Sequence, residues 1–266
     1  MTLHQREGSG PLRGQVRSYG FEEVTATLTR RREGPGPEVV VILSFGNEWR
    51  VGGALEERGR LERLDSFVGG PRDTSVVTEH DGWSAGMQIN LAPTTARRIF
   101  GLPMRELTDR NLPLDDLFGR DAQLLVERVA GACTWDERFA IVDGELARRL
   151  ASAPARDTNV LWAWHRLRRS RGRVAVQELA RELDWSRRRL VERFRDEVGL
   201  APKTVARLFR FEHALELARA GAGWADVAHG AGYYDQSHLA NDFRAITGTT
   251  PRGYVTNLQD AAAAAA

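Results

Sequence analysis

The sequence contains little cysteine, no long apolar run and no apolar signal core near its start. Its 266 residues include one cysteine, Cys133, which excludes an internal disulfide framework and suits a reducing compartment. No run of about eighteen apolar residues is present, so no transmembrane helix is predicted. The N-terminal stretch MTLHQREGSGPLRGQ lacks the apolar core of a signal peptide. We therefore expect a cytoplasmic protein without a membrane partner.

Motifs for catalysis and for cofactor binding are also missing. The chain has no Walker loop, no GxSxG elbow and no GxGxxG after a predicted strand. His80 has no histidine two residues away, whereas metal-binding cupin barrels need a clustered His-x-His with a carboxylate. We therefore expect no enzyme activity, no cofactor and no metal site, and we place His80 at the surface or at a strand end.

Charge is unevenly distributed along the chain. Residues 1–157 hold 21 arginines against 24 acidic residues, a net charge of −3, whereas residues 158–258 hold 17 basic against 11 acidic residues, a net charge of +6. A basic C-terminal part suits neutralisation of nucleic-acid phosphates. This positive charge supports nucleic-acid binding only because it lies in the same part of the chain as the motif described next.

The same motif, a short helix, a tight turn and a second helix, occurs twice in the sequence, at residues 175–199 and 224–248. Ser186 and Asp235 stand where the second helices begin, and each can accept from free amide groups as an N-cap. Apolar side chains recur at helical spacing in both copies. The first copy has Val176, Leu179, Ala180, Leu183, Leu190, Phe194 and Val198, and the second has Trp224, Val227, Ala228, Ala231, Leu239, Phe243 and Ile246. This pattern predicts two helix-turn-helix units in tandem.

The polar faces of the two second helices favour DNA binding over a plain pair of helical hairpins. Arginine suits guanine O6 and N7 in the major groove, and asparagine or glutamine suits adenine N6 and N7. A solvated helix face more often mixes lysine and glutamate at i,i+4 spacing. The predicted DNA-binding residues are Arg187, Arg188, Val191, Glu192 and Arg195 in the first unit and Gln236, Ser237, His238, Asn241 and Arg244 in the second.

A predicted helix over residues 202–220 connects the two units, with Pro202 near its start and Gly221 after its end. Such a helix is about 27 Å long. It could hold two recognition helices about one DNA turn, ~34 Å, apart. One chain could then enter two successive major grooves of double-stranded DNA.

The C-terminal stretch resembles the DNA-binding region of AraC/XylS-type transcription regulators. The similarity rests on ELARELDWSRRRLVERFRDEVGLAP, RFEHALELA, WADVAHGAGYYDQSHLANDFRAITGTTP and Tyr254. Asp184 stands where that family commonly has glycine and Leu239 where it commonly has phenylalanine; aspartate tolerates a left-handed backbone, so we expect the first turn to form. By position, the resemblance implies groove-facing roles for Arg188, Val191, Glu192, Gln236, Ser237 and Asn241.

The N-terminal half has a different pattern. Short β-branched or alternating runs at 21–30, 38–45, 73–80 and 83–92, separated by glycine- and proline-rich turns, predict a barrel or sandwich. Helices are predicted at 94–100, 120–132 and 135–150, and the last two either cover the barrel or form a dimer surface. This half weakly resembles the cupin-like sensory domains that often precede AraC-type regions. An effector pocket could be lined by Phe45, Trp49, Phe67, Trp83, Gln88 and Asn90, although aromatic residues in a small barrel are more often plain core.

The sequence therefore predicts an α+β protein. Its expected parts are a β-barrel or sandwich domain with a helical extension (1–150), a linker (151–157), an all-α domain with two helix-turn-helix units (158–256), and a poly-alanine tail outside the fold (261–266). We expect a sequence-specific transcription regulator, responsive to a small organic effector, with RNA polymerase and a second copy of the chain as further candidate partners. The resemblance to AraC/XylS-type regulators implies activation rather than repression of transcription. The alternative is a sequence-tolerant architectural DNA-binding protein whose N-terminal domain only oligomerises.

Overall fold

The computed structural model describes residues 2–53 and 61–256, and the poly-alanine tail at 261–266 lies outside the described residues. The first part of the chain is an antiparallel sheet. Its strands are β1 (Thr2–Glu7), β2 (Val16–Glu33), β3 (Val39–Ser44), β4 (Trp49–Gly53), β5 (Glu62–Leu64), β6 (Phe67–Gly69), β7 (Val76–Leu91) and β8 (Asn111–Pro113). The strand order is β1-β2-β7-β3-β6-β8, with β4 paired to β7 and β5 paired to β4.

The long strand β7 is the centre of this sheet. One edge pairs with β2 along its length, and the other pairs with β4 near its start and with β3 near its end. Two of the predicted runs, 73–80 and 83–92, therefore belong to one strand. Pairing with β2 continues through the expected break, with Thr25 opposite Gly82 and Val24 opposite Trp83.

The two faces of the sheet have different environments. Helices α1 (Pro93–Phe100), α2 (Leu114–Phe118), α3 (Asp121–Ala130) and α4 (Trp135–Ala151) follow the main strands, and the sheet and these helices share one buried core. Members of this core include Leu43, Met87, Ile89, Leu91, Ile99, Leu125, Phe139 and Leu146. Because neighbouring side chains of a strand alternate between faces, Gln88 and Asn90 lie on the opposite face. Helices α3 and α4 therefore cover this face of the sheet, and their alternative role as a dimer surface stays a prediction.

The rest of the described chain is helical. It comprises α5 (Thr158–Arg169), α6 (Val176–Glu182), α7 (Arg187–Val198), α8 (Pro202–Arg219), α9 (Trp224–Gly230) and α10 (Gln236–Thr247). These helices form two separate apolar cores. Helix α8 supplies Val205, Leu208 and Phe209 to the first core and Phe211, Ala214 and Leu215 to the second.

The predicted fold class is confirmed: an antiparallel sheet domain precedes a helical domain with helix-turn-helix units. Within the described residues, no helix is both long enough and apolar enough to cross a membrane.

Candidate nucleic-acid interface and neighbouring cavity

Helix α7 is the second helix of the first unit, and it begins where the cap chemistry requires. The Ser186 hydroxyl accepts from the Arg189 amide at 3.1 Å. Before it, Asp184 has a φ of 51°, in the left-handed region expected for this turn. The apolar stripe of Leu190, Phe194 and Val198 is buried. On the other side Arg187, Arg188, Glu192 and Arg195 are exposed, and Val191 is half-buried.

Two of the predicted DNA-binding residues bind each other in this structure. Arg188 donates from Nε to Glu192 Oε1 at 2.8 Å, one helical turn along α7. The hydrogen bond to this carboxylate raises the pKa of Arg188. Arg188 must therefore leave Glu192 before all its donors can bind a base.

The second unit repeats the geometry of the first. Trp185 in the first turn and Tyr233 in the second each donate a backbone N–H to the carbonyl five residues earlier, both at 2.9 Å. Gly232 has a φ of 80°, the counterpart of Asp184. Asp235 then caps α10 by accepting from the His238 amide at 2.8 Å. The chain therefore contains one turn design twice, closed by the same kind of hydrogen bond.

Helix α10 presents a polar face to solvent. Leu239, Phe243 and Ile246 are buried on its inner side. All five predicted DNA-binding residues of this unit are exposed: Gln236, Ser237, His238, Asn241 and Arg244. The structure thus separates an apolar face that anchors the helix from a hydrogen-bonding face directed to solvent.

A polar network fixes α10 against the connecting helix α8. Arg207 of α8 donates from Nε to Asp242 Oδ1 at 2.6 Å, and the Tyr233 hydroxyl donates to Asp242 Oδ2 at 3.2 Å. Burial, followed by the Asp242 carboxylate, raises the pKa of Tyr233. One carboxylate therefore joins the recognition helix, its turn and the connecting helix.

A cavity of about 890 Å³ lies between the sheet and the helical domain. The sheet lines it with residues that include Phe21, Val40, Ile42, Trp49, Val51 and Phe67, and α5 and α8 add residues that include Trp164, Arg168, Phe209 and Glu212. Of the six predicted effector-pocket residues, Trp49, Phe67, Gln88 and Asn90 line this cavity.

The other two predicted pocket residues lie elsewhere, which corrects the sequence-based assignment. Phe45 packs against the core on the helix-covered face, with the Arg138 guanidinium 5.3 Å from its ring centre. Trp83 is 43% exposed on the outer surface of the sheet. Composition did not indicate which face of each strand would meet the cavity.

Known proteins resemble this chain in one domain's sequence and in overall fold. Residues 179–257 match the family model described as "Helix-turn-helix domain". The C-terminal domain is an AraC-type helix-turn-helix domain. This domain supports a role as a DNA-binding transcription regulator.

Solved structures of ToxT from Vibrio cholerae share the fold at low sequence identity. One is an apo ToxT variant from strain SCE256, with 11% identity, a TM-score of 0.50 and coverage of 95% of this chain and 100% of that chain. Another is ToxT from strain O395 bound to (E)-4-(8-methylnaphthalen-1-yl)but-3-enoic acid, with 11% identity, a TM-score of 0.50 and coverage of 92% and 99%. No curated protein sequence matches the chain. These likenesses show the fold, a sheet domain followed by a helical domain.

Charged side chains line the cavity from both domains. Arg17 and Glu38 of the sheet domain form an ion pair at 2.8 Å, and Arg31 contacts Glu23 at 2.7 Å. From the AraC-type domain, Glu212 enters the cleft; burial there, followed by repulsion from Glu38, raises its pKa to about 7. A cavity with an apolar wall and charged edges can hold an amphipathic organic molecule.

Several relevant residues were not identified from the sequence. Tyr234 is 94% exposed one position before the Asp235 cap, while its neighbour Tyr233 is buried. The sequence of two consecutive tyrosines does not indicate which of the two rings is exposed. Residues of α5 and α8 that face the cavity were missed because their contact with the sheet joins distant parts of the chain. His80 is 1% exposed, with Nε2 3.3 Å from Glu23 Oε2, so its expected place at the surface or at a strand end was wrong.

Proposed function

We propose that the chain reads an asymmetric duplex site by inserting α7 and α10 into two successive major grooves. The observation that carries this proposal is the duplicated turn, cap and recognition helix with an exposed polar face. Helix α8 contributes to the cores of both units and so links their positions. Because the two polar faces differ, the two half-sites differ as well, and no palindrome is needed.

The side chains assign roles within each half-site. Arg188 suits guanine, whereas Gln236 and Asn241 suit adenine edges. Ser237 and His238 extend the reading face of α10, and Arg187, Arg195 and Arg244 suit guanine or phosphate. Val191 contributes an apolar contact of the kind that a thymine methyl group accepts.

A selection from random duplex DNA tests this reading. The full chain should enrich a bipartite site with a fixed gap, and binding should weaken steeply with salt because phosphate contacts release counterions. Asn241→Ala should cost about 1–3 kcal/mol at one base step and relax the preference there. Gln123→Ala, which removes an amide from α3, is the matched control. An unenriched pool from the wild-type protein would instead favour the architectural alternative.

We further propose that a small organic acid binds the cavity and alters DNA binding. Ile42, Trp49, Val51 and Phe67 offer an apolar wall. The lining residues include six arginines, Arg17, Arg31, Arg72, Arg168, Arg171 and Arg219, against four glutamates, Glu33, Glu38, Glu212 and Glu216. The aromatic or aliphatic body of such an acid would pack against the apolar wall, and its carboxylate would pair with the excess of positive charge. The complex of ToxT with an arylbutenoic acid supports the same class of compound.

A panel of aromatic and aliphatic carboxylic acids tests the cavity by thermal shift. A binding acid should raise the melting temperature and change DNA affinity by a coupling free energy of about 1–3 kcal/mol. Ile42→Trp should fill the cavity and abolish the shift. Val24→Trp, on the exposed part of β2, should leave the shift unchanged. A shift that survives the cavity-filling variant would place the ligand elsewhere.

The family resemblance favours activation over repression, with RNA polymerase as the partner. A promoter carrying the selected site upstream of the polymerase site should be transcribed more strongly when the protein is present. Reduced transcription from that promoter would assign a repressor.

A further inference from the structure

The sheet domain contacts the first recognition helix at its C-terminal end. The short 3-10 turn Met104–Glu106 and the residues after it lie beside the end of α7. Thr108 Oγ1 donates to the Gly199 carbonyl at 3.0 Å, and Arg105 forms an ion pair with Asp196. A Cβ on Gly199 would lie 2.9 Å from Thr108 Oγ1 and 3.1 Å from the Met104 carbonyl oxygen, so the two segments approach closely. The end of α7 is therefore held by side chains that lie 91 residues earlier in the sequence.

The same domain contacts the second recognition helix at the equivalent place. The Ser75 backbone amide donates to the Ile246 carbonyl at 3.2 Å. Arg32 of β2 donates to the Thr247 carbonyl. Ile246 and Thr247 are the last residues of α10. The sheet domain thus donates to the carbonyl of Gly199, the residue that follows α7, and to the last two carbonyls of α10.

These contacts suit the physical chemistry of helix ends. The last carbonyls of a helix have no partner within it, and a positive side chain is favourable at this negative end of the dipole. Base-reading residues in helix-turn-helix proteins lie at the opposite, N-terminal end of the recognition helix. Here that end is exposed to solvent: the Arg188 side chain is 87% exposed, and Gln236 is exposed. The sheet domain therefore holds both helices without covering the residues that would read DNA.

We propose that the sheet domain sets the spacing between the two recognition helices and so selects the gap between half-sites. This inference rests on the proposed reading of two grooves. The two units have separate apolar cores and share α8. If α8 were their one connection, the angle between the units would change whenever that helix bent. Contacts from a third body to the ends of both recognition helices remove that freedom. Thr108, Arg105 and Arg32 are the side chains that we assign to this positioning role.

The test uses the full chain and the duplex that the wild-type protein enriches, with its gap lengthened or shortened by one to five base pairs. Two base pairs rotate one half-site by about 70° relative to the other. Wild-type affinity should therefore fall roughly tenfold or more at that change. The variant carrying Arg32→Ala, Arg105→Ala and Thr108→Val should lose less than about threefold at the same change. Arg63→Ala, an exposed arginine paired with Glu48, is the control and should keep the wild-type profile.

A charge exchange keeps the inference testable if the triple variant does not fold. Arg105→Asp alone should flatten the gap profile, and adding Asp196→Arg should restore it. A folded variant that retains the tenfold penalty would overturn the inference while leaving the two-groove proposal intact. Uniformly tighter binding at every gap would also overturn it, because the contacts would then be inhibitory. If the wild-type protein shows no gap dependence, the two-groove proposal itself fails.

Discussion

Asp242 is the residue whose removal should most affect the second helix-turn-helix unit. Its carboxylate accepts from Arg207 at 2.6 Å and from the Tyr233 hydroxyl at 3.2 Å. The side chains of Arg207 and Asp242 are 25% and 14% exposed, and Tyr233 is 4% exposed. Asp242→Ala would therefore leave one mostly buried charge and one buried hydroxyl without this acceptor.

The size of the effect follows from these two losses. A hydrogen bond to a charged group contributes about 1.5–3 kcal/mol, and an unsatisfied buried hydroxyl costs about 1–3 kcal/mol. Because both losses share one carboxylate, they are not additive, and we expect a destabilisation of about 3 kcal/mol in total. Asp242→Asn retains an acceptor for the hydroxyl and should cost about half as much.

Urea unfolding of the full chain, followed by tryptophan fluorescence, measures this change, and DNA affinity should fall with it. For a domain of about a hundred residues, 3 kcal/mol lowers the melting temperature by more than about 10 °C. Asp226→Ala, which removes an exposed carboxylate from α9, should cost less than about 1 kcal/mol. If Asp242→Ala unfolds within about 0.5 kcal/mol of the wild-type protein, the network does not support α10 and the reasoning is wrong.

Three other changes give independent checks. Glu192→Ala should free its arginine partner and raise affinity for unrelated duplex DNA about two- to fivefold in a competition assay, since a negative charge leaves the DNA-facing side; unchanged or weaker binding would contradict this role. Gly172→Ala should destabilise by about 3 kcal/mol because the glycine has a φ of 72° and a Cβ there would lie 1.9 Å from a carbonyl oxygen of α8. Gly101→Ala is the control, with a φ of 71° and no atom within 4 Å, and similar costs for both would refute the clash. Burial, followed by repulsion from Glu38, raises the pKa of Glu212 to about 7. Its contribution to stability should therefore be complete below its ordinary pKa and lost as pH rises through 7. The free energy of unfolding measured from pH 5 to 8 should depend less on pH in Glu212→Gln, and identical profiles would contradict the shift.

Local features of the helical domain were predictable because neighbouring residues determine them. The caps by Ser186 and Asp235 need only a hydroxyl or carboxylate before an apolar stripe, and both form as expected. The left-handed backbone at Asp184 follows from the turn that the resemblance implied. The connecting helix, predicted at 202–220, is observed at Pro202–Arg219.

Features that depend on distant pairing were not predictable in the same way. Asp81 and Gly82 look like a turn between two strands, yet β2 pairs across them and makes β7 continuous. Sequence alternation shows that Gln88 and Met87 face opposite ways but not which side is the cavity. The assignment of Phe45 and Trp83 to the pocket failed for this reason. The contribution of α5 and α8 to the cavity depends on how the two domains dock, which no local pattern encodes.

The two proposals meet on strand β2. Arg31 lines the cavity, and the next residue, Arg32, binds the terminal carbonyl of α10. Because Arg31 and Arg32 are consecutive, we expect a ligand that draws Arg31 from Glu23 to act on the same stretch of backbone that carries Arg32. The register shift between Thr25 and Thr29 separates this part of β2 from the rest of its ladder with β7. An effector acting by this route should change the preferred gap between half-sites more than it changes affinity for either half-site alone, because Arg32 contacts the end of the helix and not its reading face.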